Sequence, residues 1–289
     1  TNYCVSESYE PGSTFKPVTV ASALEEGVVK DGDTYVCKGF ETVADYKLKC
    51  HVFSTIGSHG SLTVEQALMN SCNPYMIHLA LEMGNSRFAY YQSLFGFGKI
   101  TGIDLPGETT GIVYGDRMTT IDAACNSFGQ TINVNMMQMM AAYCSIINGG
   151  MLYQPHIVKR IESANGEVVK EYKANLVRQT ITASTSKLLR RYLKNTVEEG
   201  TAKKAGVTGY SVAGKTGTAQ KGDRKDNKWI ISFIGHAPAE NPKFAIYVVI
   251  DEPYGTTGTS GSSADVLTLT HNILEKLLPY MNVYKDASD

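Results

Sequence analysis

Three short motifs in this chain bring hydroxyls, amines and an amide into spacings that suit chemistry. Ser13-Thr14-Phe15-Lys16 sets a hydroxyl and an amine three residues apart, hence on one face of a helix. Ser71-Cys72-Asn73 offers a hydroxyl and an amide directly before a proline. Lys215-Thr216-Gly217-Thr218 falls in an apolar, strand-like run, where alternation sends Lys215 and Gly217 to one face and Thr216 and Thr218 to the other. Glycine at such a place lets something approach the backbone closely. Each motif alone has a bland reading; Ser13, behind Pro11-Gly12, serves equally as a helix N-cap. The sharper reading makes Ser13 a nucleophile, which needs a neighbour to take its proton. Lys16 is the local candidate. An unperturbed lysine titrates near 10.4, so a neutral amine at pH 7 requires a fall of roughly three units, about 4 kcal/mol. Burial and a second nearby cation both act in that direction, and Lys215 is the cation available.

Positioning these groups falls to a particular set of elements. Residues 14–26 read as a helix closed by Gly27, with Pro17 near enough to its start to be tolerated. Residues 33–62 mix polar residues, glycine and cysteine and read as an irregular excursion. Residues 61–84 carry a helical pattern broken at Asn73-Pro74, which sets Ser71 and Asn73 at a bend between two helices. SRFAYYQSLFGFG and the methionine-rich VNMMQMMAAYCSIINGG are also helical, the methionines filling core gaps. Beyond residue 155 the pattern changes. HIVKRIESANGEVVKEY predicts two strands about an Asn-Gly turn, and SKLLRRYLKNTVEEG a helix. GYSVAGKTGTAQK, KWIISFIGHAP and KFAIYVVIDEP predict three successive strands, followed by a closing helix, ADVLTLTHNILEKLLPYM. Helices gathered in the first half and an antiparallel sheet in the second make an α+β fold.

With 27 basic and 28 acidic residues in 289, the net charge of -1 argues against a general electrostatic grip on nucleic acid. No run approaches the roughly 20 apolar residues that span a bilayer, and the start does not read as a signal peptide.

The order SxxK, SxN, KTG is specific where the single motifs are not, and belongs to penicillin-binding proteins and related β-lactamases. Longer stretches carry the same likeness: YEPGSTFKP, EQALMNSCNP, FGFGKITGIDLPGE, FGQTINVNMMQMMAAYCSIINGG, EEGTAKKAGVTGYSVAGKTGTAQK and SFIGHAPAENPKFAIYVVIDEP. Over essentially its whole length the chain resembles class B penicillin-binding protein transpeptidases, of the elongation, division or sporulation type of Gram-positive bacteria. The resemblance implies a five-stranded antiparallel sheet flanked by helices, with a helical subdomain over roughly residues 17–150 and the site at their junction. In the family the sheet also holds strands from before the SxxK serine, whereas only twelve residues precede Ser13 here. Those strands, a pedestal domain and a membrane anchor are absent from this sequence. The family also implies a place on the outer face of the bacterial membrane through that anchor, with a lipid-linked glycan polymerase as partner.

The implied reaction is cross-linking of peptidoglycan stem peptides, with no cofactor required for catalysis. Ser13 would be acylated by a donor ending in D-Ala-D-Ala, or by a β-lactam antibiotic that mimics it. Lys16 would act as base, while Lys215 stays protonated and attracts the substrate carboxylate. Ser71 would relay a proton toward the leaving amine, and Asn73 would hold Lys16 or bond the substrate's amide. Thr216, Gly217 and Thr218 would bind substrate, the strand backbone pairing with an extended peptide. The oxyanion hole implied by the family is the backbone N–H of Ser13 and of Thr218. Two rivals share this fold. A β-lactamase of class A uses an additional glutamate, and no ExxLN-like segment lies between the second and third motifs; class D enzymes usually carry valine where Asn73 stands. A β-lactam-sensor domain or inactive scaffold is the non-enzyme alternative.

The excursion CKGFETVADYKLKCHVFSTIGSHG stands apart from all this. It holds Cys37, Asp45, Cys50, His51 and His59 in 23 residues, the ligand types that tetrahedral zinc prefers. No CxxC occurs in it. A Cys37–Cys50 disulfide, two free thiols, and a structural zinc held by Cys37, Asp45, Cys50 and His59 are the three readings. His59 is preferred to His51, because adjacent Cys50 and His51 would strain to share one ion.

Overall fold

Element boundaries follow from where the chain can cap a helix or must turn. The computed structural model describes residues 2–222, 228–253 and 262–285. A short α1 (Tyr3–Ser6) leads to a 3-10 turn at Gly12–Phe15, which runs straight into α2 (Lys16–Glu26). Gly27 ends α2 in the left-handed conformation, φ 77°, its N–H returning to Ala23 and Leu24.

The excursion is more regular than its composition predicts. It forms β1 (Thr34–Cys37), β2 (Phe40–Val43), β3 (Tyr46–Lys49) and β4 (Gly60–Thr63), as two antiparallel pairs. β2 and β3 make a tight hairpin, and β1 pairs with β4 so that Cys37 lies opposite Gly60. Polar composition hides these strands because only one side of each is covered.

Thr63 then caps α3 (Val64–Met69) in a reciprocal box with Gln66. After the break at residues 70–72 come α4 (Asn73–Met83) and α5 (Asn85–Leu94), then α6 (Thr120–Asn126) and the methionine-rich α7 (Met136–Ile147). The same box recurs at Thr119–Asp122 and Asn135–Gln138. β5 (Met151–Gln154), which the sequence pattern does not announce, pairs with β8 (Asn175–Gln179), and between them stands the hairpin β6 (Arg160–Glu162) and β7 (Val168–Glu171) about Asn165-Gly166. α8 (Ala183–Glu198) follows.

β9 (Ala213–Lys221), β10 (Lys228–Ala237) and β11 (Phe244–Asp251) form the principal sheet in the order β11-β10-β9, antiparallel throughout. The class is α+β, as the pattern predicts. Three strands stand in this sheet among the described residues; the resemblance implies five, including strands from before the SxxK serine, and residues 2–12 form α1 and an isolated bridge, Tyr9 to Val134. α9 (Ala264–Tyr280) covers one face, packing Val266, Leu267, Leu274 and Leu278 on Ile231 and Phe233. The helical lobe covers the other, where Ile234 joins Phe15, Leu68, Tyr143 and Leu189. Successive residues of β10 thus enter two cores, as strand alternation requires. β9 is left as an edge facing the helical lobe. Among the described residues no helix is long and apolar enough to cross a membrane.

Candidate active site

The Ser13 turn is wedged between two backbones, and glycines make that possible. Gly12 has φ 56°, and a Cβ there would sit 2.6 Å from the Thr218 carbonyl oxygen of β9. On the other side a Cβ on Gly129 would lie 2.0 Å from the Gly12 carbonyl oxygen, while the Gly12 N–H donates to Gly129 at 2.9 Å. Gly217, grouped with Thr216 and Thr218 for substrate on sequence grounds, also packs closely within the fold. A Cβ there would meet Ser232 Oγ, Thr14 and the Pro11 carbonyl, the last two at 2.8 and 2.9 Å. The Ser13 turn thus approaches this glycine.

Lys16 is fully buried, and its Nζ donates three hydrogen bonds: to the Ser71 carbonyl at 2.6 Å, Ser71 Oγ at 2.9 Å and Asn73 Oδ1 at 2.6 Å. The α3–α4 break presents these acceptors. Ser71 has φ 56°, a strained value for a side-chain-bearing residue, and its carbonyl turns inward as a result. Asn73 is fixed in turn by donating from Nδ2 to the Lys49 carbonyl at 3.3 Å. Burial brings the Lys16 ammonium down to about 8.

Lys215 is equally buried and donates to the Thr216 carbonyl at 3.2 Å and Thr216 Oγ1 at 3.3 Å. Burial, then the Lys16 charge, holds it well below the ordinary lysine range. Sequence reasoning assigns the neutral amine to Lys16 and the proton to Lys215. Three oxygens surround the Lys16 amine, whereas two longer contacts serve Lys215.

These groups open on one cleft of about 700 Å³, lined by Ser13, Ser71, Asn73, Thr216 and Thr218 together with Phe128, Gln130, Thr201 and Trp229. Lys47, Leu48, Lys49 and His51 form a further wall. Sequence reasoning misses both this wall and the second group. Gln130 and Thr201 lie inside the FGQ and EEGT segments already singled out, whereas nothing local marks Lys47 or Lys49.

Behind the same bend lies a second cluster. Cys37, Cys50 and Cys72 bring their sulfurs, and His59 a ring nitrogen, all within 4.8 Å of one another. His59 Nδ1 is 3.6 Å from Cys50 Sγ and 3.8 Å from Cys37 Sγ. The Cys72 thiol, then His59, lowers Cys50 to about 3, while the same pairing raises Cys72. All six cysteines are unbridged. Asp45 must be corrected: it stands exposed in the turn joining β2 and β3, away from the sulfurs, and Cys72 takes the fourth corner. The backbone at 71–73 throws Ser71 and Asn73 toward Lys16 and Cys72 to the far side. His51 lies outside the cluster, its Nε2 2.9 Å from the Asn70 carbonyl.

Comparison with known proteins bears on this arrangement. The family model described as "Penicillin binding protein transpeptidase domain" matches residues 1–275. Stage V sporulation protein D of Bacillus subtilis is 41% identical over 288 residues, covering 98% of this chain and 44% of that protein. Peptidoglycan D,D-transpeptidase FtsI of Escherichia coli K12 is 32% identical over 292 residues, covering 99% of this chain and 46% of that one. The chain therefore spans about half the length of the curated relatives it matches. Penicillin binding protein 3 of Mycobacterium tuberculosis superposes with a TM-score of 0.88 at 28% identity in its apo form, over 98% of this chain and 66% of that one. Its aztreonam complex gives 0.87 at 29%, over 98% and 65%.

Proposed function

This chain belongs to the penicillin binding protein transpeptidase domain family, and on that premise we propose that it is a serine D,D-transpeptidase that cross-links peptidoglycan stem peptides. The observation that carries the reading is the convergence of Lys16, Ser71 and Asn73 in one cleft with Ser13 and the β9 threonines. Ser13 Oγ attacks the carbonyl of the penultimate D-Ala, and its proton passes to a neutral Lys16. Charge developing on the carbonyl oxygen falls to the N–H groups of Ser13 and Thr218, the latter on the strand that Gly12 abuts. Ser71, hydrogen-bonded to Lys16, hands the proton to the leaving D-Ala amine. Lys215, Thr216 and Thr218 take the terminal carboxylate. The acyl group on Ser13 then passes to an amine of a neighbouring stem, which gives up its proton along the same route. β-Lactams acylate Ser13 by the first half of this sequence, and aztreonam is bound in the Mycobacterium tuberculosis relative.

A structural zinc is proposed at Cys37, Cys50, Cys72 and His59. Zinc bonds of about 2.3 Å to sulfur and 2.0–2.1 Å to nitrogen place tetrahedral neighbours about 3.5–3.8 Å apart. The two sulfur–nitrogen distances of 3.6 and 3.8 Å match that spacing. A metal there would order the chain on either side of the bend that presents Ser71 and Asn73. Catalysis itself uses no cofactor in this reading. The full protein would act on the outer face of the bacterial membrane, held by an anchor, beside a lipid-linked glycan polymerase. Crosslinking in membranes with the full-length protein tests that placement.

Mass spectrometry after incubation with penicillin tests the chemistry. A long-lived adduct that disappears in S13A is expected. Rapid penicillin turnover with no adduct, or an adduct that survives S13A, would overturn the reading.

A further inference from the structure

One wall of the cleft is formed by β3, from the β2–β3 hairpin, and it is positively charged. Lys47 and Lys49 lie two residues apart on β3, hence on one face, and both line the catalytic cleft. Lys47 Nζ lies 3.8 Å from the Phe40 ring centre, and Lys49 Nζ 4.9 Å from that of Phe53. Aromatic faces hold an ammonium in place without neutralising it. Among the described residues no carboxylate pairs with either lysine. Glu41, across the hairpin, lies opposite Leu48 and bonds Tyr35 instead. Nor, among the described residues, does any aspartate or glutamate line the cleft.

One anionic group of a donor, its terminal carboxylate, is met by Thr216, Thr218 and Lys215 on β9. Two further cations on the β3 wall exceed what that group requires. They also sit where a second one would lie. Asn73, which accepts from Lys16, donates to the Lys49 carbonyl, so β3 runs directly beside the Ser71–Asn73 side of the cleft. The hairpin is anchored at both ends, since Cys37 stands just before it and Cys50 just after, both in the sulfur cluster.

We propose that Lys47 and Lys49 are specificity residues that select donor stem peptides carrying a free carboxylate upstream of D-Ala-D-Ala over donors amidated there. The proposal rests on the transpeptidase reading. It goes beyond it by naming a chemical feature of the donor that neither the three motifs nor the reaction requires.

Two synthetic stem pentapeptides ending in D-Ala-D-Ala, one with its upstream side-chain carboxyls free and one with them amidated, provide the test. Each is scored by the concentration that halves the rate of fluorescent-penicillin labelling at Ser13. The wild-type protein should favour the free acid by about fivefold, the scale of one or two exposed charge contacts. K47Q/K49Q should bind the two alike, and K47E/K49E should favour the amide. Equal binding of both peptides by the wild type, binding of neither while Ser13 is labelled, or a preference unchanged in K47Q/K49Q would overturn the proposal. Absence of any penicillin label at Ser13 in the wild type would instead remove the transpeptidase reading, and this proposal with it.

Discussion

Two clusters stand back to back across residues 71–73, and they are completed in different ways. Toward the cleft, Lys16 has three oxygen acceptors, and the protein alone satisfies its ammonium. Away from the cleft, three cysteine sulfurs and an imidazole nitrogen face one another within 4.8 Å. Crowding groups that give up protons for a cation marks a site suited to metal, while surrounding one amine with oxygens marks a proton-handling site. The contrast shows how a three-residue bend serves both: alternate side chains go to opposite sides, so a structural centre and a chemical one share a backbone.

The largest expected effect separates the two sides by removing one. K16M should lower the second-order rate of penicillin acylation by about 10³-fold, within the range for loss of a positioned base, with zinc content unchanged by elemental analysis. Next comes pH. Because burial brings the Lys16 ammonium down to about 8, its neutral form grows as pH rises toward that value and is dominant above it. Acylation should therefore climb about tenfold per pH unit between 6 and 7 and level off above 8. A flat profile would break the assignment of Lys16 as base.

G12A adds a methyl 2.6 Å from the Thr218 oxygen at a positive φ. It should cost about 2–3 kcal/mol of stability by denaturant unfolding and slow acylation about tenfold. G27A is the control: its φ is also positive but nothing lies within 4 Å, so about 1 kcal/mol and unchanged acylation are expected. On the sulfur side, C72S should lose zinc, lower the melting temperature by several degrees and slow acylation only a few-fold. D45A should alter none of these, since its carboxylate is exposed and outside the cluster. Loss of zinc in D45A would restore the ligand set read from sequence.

Much of the catalytic side is legible in the chain because its parts are local and chemically distinctive. Ser13 and Lys16 are one turn apart, Ser71 and Asn73 flank one residue, and Pro74 and Gly27 mark the helix limits that position them. The sulfur side is only half legible. Cys37, Cys50 and His59 fall in one polar excursion, where a carboxylate such as Asp45 is a reasonable fourth ligand by proximity along the chain. Cys72 sits in an apolar helical stretch that reads as core, and only the approach of the β1–β4 pair to the α3–α4 bend reveals it. The strands of the excursion and the β5–β8 pair are hidden for the same reason. Each is short and half exposed, so neither length nor alternation announces it.

By itself the sequence determined the α+β class, the family likeness and the candidate site motifs, because these depend on residue type and short-range periodicity. Tertiary structure alone decided three things. It packed Gly217 against the Ser13 turn, since two backbones must touch there. It set three oxygens around the Lys16 amine and two longer contacts around Lys215, since which groups surround a buried amine depends on how distant segments meet. And it replaced Asp45 with Cys72, since ligands meet by distance in space, which separation along a chain does not measure.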